Sequence, residues 1–264
     1  MMNAIVISFR FLFAHKWKIL LTFALSLMFF VLLFPLSDLN DLISAEVSKA
    51  TNNKIFVQLE KIHLNPLRPA ISFEKLYVET PQISSITSDE LEINPSISAL
   101  LARKPGGKVT ATGFLNGSVV ISMHPTPSSE KGLDKSKFEI TASNISLKEA
   151  RQISNISLPL KGELSLTSQA VVDLALVEQP ELDLSLTISK FELASTFIPL
   201  HDFGQILLPE IKFGKVEIKG RLSNGKFLIE NAKLGTTNDD LYGDIKGELS
   251  ITLQNMNGLV TPLL

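Results

Sequence analysis

The sequence predicts a mainly β protein in which an N-terminal transmembrane helix precedes one elongated antiparallel sheet with a few short helices. Three observations carry that reading. Residues 19–36 form an uncharged apolar run, apolar and polar residues alternate with a period of two from residue 54 to residue 253, and turn signals such as Asn224-Gly225 punctuate the alternation. Composition agrees with a folded chain carrying a large apolar burden: of 264 residues, 45% are hydrophobic and 20% charged. A net charge of −2 argues against a nucleic-acid partner. The absence of cysteine excludes disulfide scaffolds, thiolate zinc sites and cysteine nucleophiles.

Taking the elements in order, residues 19–36 would rise about 27 Å as a helix, near the thickness of a bilayer core. The side chains expected to meet lipid are Trp17, Ile19, Leu20, Leu27, Phe29, Phe30, Leu33 and Phe34. A cleavable signal peptide is the competing reading, but the run exceeds the usual apolar core of about 7–15 residues and no clean small-x-small site follows it. Arg10, Lys16 and Lys18 precede the run, whereas Asp38, Asp41 and Glu46 follow it. The positive-inside rule then leaves residues 1–18 as a cytoplasmic stub and puts everything after Leu36 across the membrane, in the periplasm if the cell is a bacterium. Residues 37–53 carry Leu39, Leu42, Ile43 and Val47 at helical spacing, with Ser37 or Asp38 as N-cap, and predict an amphipathic linker helix.

Residues 54–264 read as one β domain. Ile55, Val57 and Leu59 alternate first; Ile71 and Phe73 continue, and the phase then shifts to Leu76 and Val78. Leu91 with Ile93, and Phe138 with Ile140 and Ala142, follow the same pattern. The clearest run sets Leu182, Leu184, Leu186 and Ile188 against Asp183, Ser185, Thr187 and Ser189. One buried and one wet face mark antiparallel rather than parallel sheet. Asn224-Gly225 suits a type I′ hairpin turn. Residues 104–108 and 124–132 read as loops, Ser146 and Glu149 as a capping box, and the apolar stretch 197–208, broken by Pro199 and Gly204, as a loop with a helical turn.

No catalytic constellation emerges. His15, His63, His124 and His201 lack partners at metal-ligand spacing, and His201-Asp202 would point to opposite faces of a strand. Residues 107–113 have the wrong order for a phosphate loop, and Asp239-Asp240 sit in a polar loop. Asn116, Asn144 and Asn155 lie in glycosylation sequons, which bear on the chain only in a cell that glycosylates. No cofactor, metal or enzymatic role is expected. "KGELSLT" from Lys161 and "KGELSIT" from Lys246 read as one strand-entry pattern used twice, with the glycine bending the chain in and the leucines and isoleucine on the apolar face.

The stretch 208–251 resembles the C-terminal part of the type II secretion system protein N (GspN) family, in which Gly-x-Ile/Leu-x-Gly strands precede a hairpin and a D-x-x-G-x-I-x-G strand. The matching residues here are Gly214, Ile218, Gly220, Gly225, Asp240, Gly243, Ile245 and Gly247. The family is also distantly similar to AsmA-like proteins with repeating β-grooves. The resemblance implies an inner-membrane, single-pass accessory subunit whose partners are the inner membrane and other secretion-system subunits. As the alternative, the AsmA-like similarity implies a curved sheet, an open groove or half-barrel, whose apolar face takes phospholipid acyl chains. The candidate groove residues are Val172, Leu174, Leu176, Leu182, Leu184, Leu186, Ile188, Leu249 and Ile251. The competing expectation is that the apolar faces close on one another as a sandwich or barrel.

Overall fold

A computed structural model describes residues 15–33, 36–65, 69–81, 83–126, 135–154, 156, 158–173, 178–200, 204–239, 241–256 and 259–263. Two helices open the chain, α1 (Lys16–Leu33) and α2 (Leu36–Ala50). In α1 apolar residues occupy every side, and Trp17, Leu20, Leu21, Phe23 and Phe29 are exposed. Among the described residues no helix is long and apolar enough to cross a membrane. Phe34 and residue 35, which the expected segment included, lie outside the described residues.

Helix α2 begins one residue earlier than the expected caps, so Ser37 and Asp38 sit inside its first turn. Its apolar stripe does what the spacing predicts. Leu39 and Ile43 pack on a cluster of Leu59, Ile62 and Phe73. The Asn40 side-chain amide donates to the Glu60 carbonyl at 3.0 Å, tying the helix to the start of the sheet.

The sheet is built from β1 (Phe56–Gln58), β2 (Lys61–Asn65), β3 (Ala70–Thr80), β4 (Ile83–Pro95), β5 (Gly107–Phe114), β6 (Gly117–Pro125), β7 (Lys135–Ser146), β8 (Leu160–Asp173), β9 (Glu181–Leu193), β12 (Ile211–Ser223), β13 (Lys226–Leu234) and β14 (Gly243–Ser250). Every ladder is antiparallel and the order is β1-β3-β4-β5-β6-β7-β8-β9-β12-β13-β14, with β2 beside β1 on the same edge of β3. From β3 to β9, and again from β12 to β14, successive strands are neighbours. At Asn224 and Gly225 both φ angles are positive, 51° and 74°, and Ser223 pairs with Lys226, which is the hairpin the dipeptide predicts.

Left-handed residues interrupt the strands and keep their apolar side chains in phase. Lys75, Asn144 and Lys190 have φ of 47°, 56° and 53°. Around each, apolar residues three apart replace the normal spacing of two: Phe73 and Leu76, Ala142 and Ile145, Ile188 and Phe191. Ala142 and Ile145 pair with Leu166 and Leu164, which share a face, so the irregularity at Asn144 returns the strand to the same side. The phase shift read after Phe73 is this device at Lys75.

Several expectations need correction. Residues 197–208 are not a loop with a helical turn but a separate antiparallel hairpin, β10 (Thr196–Leu200) with β11 (Gly204–Leu208), in which Phe197 faces Leu207 and Ile198 faces Ile206. Pro199 is tolerated because a two-stranded ribbon leaves one side of each strand without a ladder. A second hairpin, β15 (Thr252–Met256) with β16 (Leu259–Leu263), also lies off the main sheet. A five-residue helix, α3 (Ile97–Leu101), had no sequence reading; the Ser96 hydroxyl caps it by accepting from Ala99 N–H at 3.3 Å. Helix α4 (Leu147–Ile153) carries half of the expected capping box. Ser146 Oγ accepts from Glu149 N–H, but the Ser146 N–H goes to the Leu115 carbonyl. Gly162 adopts φ 135° at a register shift, whereas Gly247, also beside a register shift, is not among the positive-φ glycines, so only the first heptapeptide bends at its glycine. Most of the loop 124–132 lies outside the described residues.

Between β13 and β14 the loop is pinned by Asp239. Its carboxylate accepts from Thr236 N–H at 2.6 Å, Thr236 hydroxyl at 2.9 Å and Gly214 N–H at 3.1 Å. These bonds, the Thr236 N–H foremost, hold its pKa below the ordinary 3.8. A depressed carboxyl pKa contributes stability that is complete above the ordinary value and drains away as pH falls through the depressed one. Asp239→Asn should therefore lower the melting temperature at pH 7, with the difference from wild type shrinking as pH drops below 3.8 in thermal denaturation. Phe73→Ala, which empties a site 8% exposed beneath α2, should cost about 3 kcal/mol in urea denaturation.

Candidate functional site

In an antiparallel ladder, residues directly opposite one another share a face. Following the register from one edge of the sheet to the other therefore reads out a whole face. Starting at Ile62, the opposite partners run Phe73, Leu91, Ala111, Val119 and Ala142. They continue through Leu166, Leu186, Ile218 and Ala232 to Ile245 at the far edge. No polar residue interrupts this row. At about 4.8 Å per strand it extends roughly 48 Å.

A parallel row one step along the strands runs Ile71, Ile93, Val109, Ile121 and Ile140 before meeting Ser168 opposite Leu184. Ser168 is buried, yet its hydroxyl donates to the Asp183 carbonyl at 3.0 Å and so adds no unsatisfied polar group. The row on the other face is polar: Ser72, Glu92 and Thr110, then Thr141, Thr167, Ser185 and Lys219, with Val120 the exception.

Cover over the apolar rows is uneven. At the N-terminal end α2 closes them, and Ile62 and Phe73 are 7% and 8% exposed. Leu91, Leu166, Leu186 and Ile218 are only partly buried, and Ile245 at the far edge is 49% exposed. Among the described residues no large side chain is fully buried. The chain exposes 18679 Å². A compact monomer of 29.0 kDa would expose about 11,000 Å². No ladder joins β1 or β2 to β14 among the described residues, so their hydrogen bonds do not close the sheet into a barrel.

The polar face is knit by cross-strand ion pairs. Lys161 meets Glu192 at 2.7 Å, Lys190 meets Glu163 at 3.2 Å, Arg221 meets Asp183 at 2.7 Å and Lys226 meets Glu248 at 2.8 Å. Hydrogen bonds from His63 and Lys161 hold the Glu74 and Glu192 carboxyls below the usual carboxylate range, and the Asp183 hydrogen bond raises Arg221. These pairs are exposed and individually weak, so their main effect is to favour one register over its slips. A polar concavity lined by Asn116, Asn144, Lys148, Lys161 and Lys190 was not anticipated from the sequence. Glu163 and Glu192 line it too and hold two of its lysines, which leaves little net charge for an anion.

Among the groove residues expected from the sequence, Val172, Leu182, Leu184, Leu186, Ile188 and Leu249 lie on the apolar face within β8, β9 and β14. Leu174 and Leu176 lie outside the described residues. Ile251 falls between β14 and β15 rather than in the sheet, its N–H donating to the Gly225 carbonyl at 2.8 Å. The larger part of the face, from Ile62 through Ile140, was not singled out, because each of those strands alone shows only two or three alternations. The register is what joins them. No family model, curated protein or solved structure matches the chain.

An uncovered face and a closed core respond differently to charge. Leu186→Glu, at a partly exposed rung, should leave cooperative urea unfolding with a loss of about 1 kcal/mol. Ile62→Glu, beneath α2, should cost about 3 kcal/mol or more. A Leu186→Glu chain that fails to fold would mean that the middle of the sheet is covered.

Proposed function

We propose that this chain is a membrane-anchored, non-enzymatic binding protein whose sheet holds phospholipid acyl chains along its apolar face. The observation that carries the reading is the unbroken apolar row from Ile62 to Ile245, along which Leu91, Leu166, Leu186 and Ile218 stay only partly buried and Ile245 is exposed. A sheet ordinarily buries its apolar face against another layer. Here the side chains stay partly exposed, which is the state in which an extended hydrocarbon ligand gains most. Each methylene removed from water is worth about 0.8 kcal/mol, so ten would contribute roughly 8 kcal/mol before the cost of ordering the chain. The left-handed residues and register shifts that cross the strands bend and twist a sheet, and curvature toward the apolar side turns a flat face into a trough.

Residues 19–36 anchor the sheet to the bacterial inner membrane, with the N-terminus cytoplasmic and the sheet periplasmic. Support comes from the exposed apolar surface on every side of α1 and from the basic residues Arg10, Lys16 and Lys18 before it. A second reading, an accessory subunit of a type II secretion system, is favoured by the resemblance over residues 208–251. Its test is separate: deletion of the gene would trap exported proteins in the periplasm, and normal export would sink it.

For the lipid reading, a photoreactive residue replacing Leu186 should cross-link to phospholipid in intact membranes, while the same group at Thr187 on the polar face should not. Phospholipid should also co-purify with the full chain by mass spectrometry. Equal labelling at the two positions, or lipid-free protein, would overturn the reading.

A further inference from the structure

The two edges of the large sheet are finished differently. At the N-terminal edge β1 and β2 are short, the strand breaks at Leu59 and Glu60, and α2 lies against the apolar side. Interruptions and covers of this kind keep an edge from pairing with another chain. At the opposite edge β14 is unbroken over Gly243–Ser250, contains no proline, is exposed along its whole length and pairs only with β13 among the described residues. Its outer backbone groups are a template for one more strand.

The side chains of β14 specify which strand. On the apolar side Ile245 and Leu249 are 49% and 50% exposed because the rows they extend have no next rung. On the polar side Asp244 and Lys246 have no ion-pair partner among the described residues, unlike Glu248, which holds Lys226. We propose that the missing strand is the β14 of a second copy of this chain, paired antiparallel about a two-fold axis at Gly247.

In that register Ile245 stands opposite the second copy's Leu249, Lys246 opposite its Glu248, and Asp244 opposite its Ser250. Two-fold symmetry makes each contact twice, so one strand supplies two apolar pairs and two opposite-charge pairs to itself. The neighbouring registers do worse. Centring on Lys246 stacks the two lysines and sets each Asp244 against a Glu248. Centring on Ile245 shortens the overlap and leaves Glu248 and Leu249 opposite Tyr242 and Leu241, outside the strand. Gly247 also suits the axis sterically, since a Cβ added there would meet nothing within 4 Å. Pairing would carry the apolar rows of both copies across the junction.

The chain has no cysteine, so single replacements report the register directly. At the axis two Cα atoms lie about 4.5–5.5 Å apart, within disulfide range. In the same register two copies of residue 250 lie about 20 Å apart. Full-length Gly247→Cys in mild detergent should oxidise to a disulfide dimer as its main species, whereas Ser250→Cys should link several-fold more slowly. Lys246→Glu in the Gly247→Cys background should reduce the dimer several-fold, and adding Glu248→Lys should restore it. A Gly247→Cys chain that stays monomeric, equal linking by Ser250→Cys, or indifference to Lys246→Glu would overturn the proposal. None of these readouts depends on bound lipid.

Discussion

The structure depends on parity. Side chains alternate faces along a strand, and a ladder places opposite residues on the same face, so one misplaced residue in any strand would throw every later rung to the wrong side. Yet the strands are not regular. Register shifts interrupt the ladders at Asn144 and Gly162, and left-handed residues sit at Lys75 and Lys190. The apolar row survives because the chain compensates locally, spacing Ala142 and Ile145 by three instead of two. Asn accepts the left-handed region at little cost. Lys75 and Lys190 do not share that tolerance, and each reaches an acid nearby, Glu60 and Glu163.

How much of this could be read beforehand varies with how local the cause is. Asn224-Gly225 encodes its own turn, and the shift from Phe73 to Leu76 announces Lys75. Stretch 196–208 misleads because Pro199 and Gly204 are loop signals when read singly, whereas the pairing of Phe197 with Leu207 and of Ile198 with Ile206 exists only once the chain has turned back. The heptapeptides beginning at Lys161 and Lys246 are the sharpest case. Nearly identical residues give a glycine of φ 135° in the inner strand at Gly162 and no positive φ in the edge strand at Gly247, although a register shift lies beside each. The inner copy lies between two ladders and the edge copy is held by one, so the difference comes from neighbours rather than from composition.

A single sheet with one wet face and one oily face is an uneven distribution of stabilising forces. The backbone ladders and the cross-strand ion pairs act across the whole width, while buried apolar side chains gather around Leu59, Ile62 and Phe73 at the α2 end and again at Leu193, Phe213, Val216 and Leu222. The edge strand β14 is exposed along its whole length, and local stability should be low there. An occupant of the apolar face would supply to the middle of the sheet what α2 supplies to its beginning.

The strictly sequential order of the strands has a kinetic meaning as well. Apart from β1 and the β10–β11 excursion, each strand of the main sheet pairs with a neighbour close in the chain, so most ladder contacts are local. Local contacts close small loops at low entropic cost and favour fast folding. A chain emerging on one side of a membrane could lay down the sheet one hairpin at a time, beginning beside α2. At every stage the newest strand would be the exposed edge, ready for the next. β14 keeps the form of such a growing end after growth has stopped.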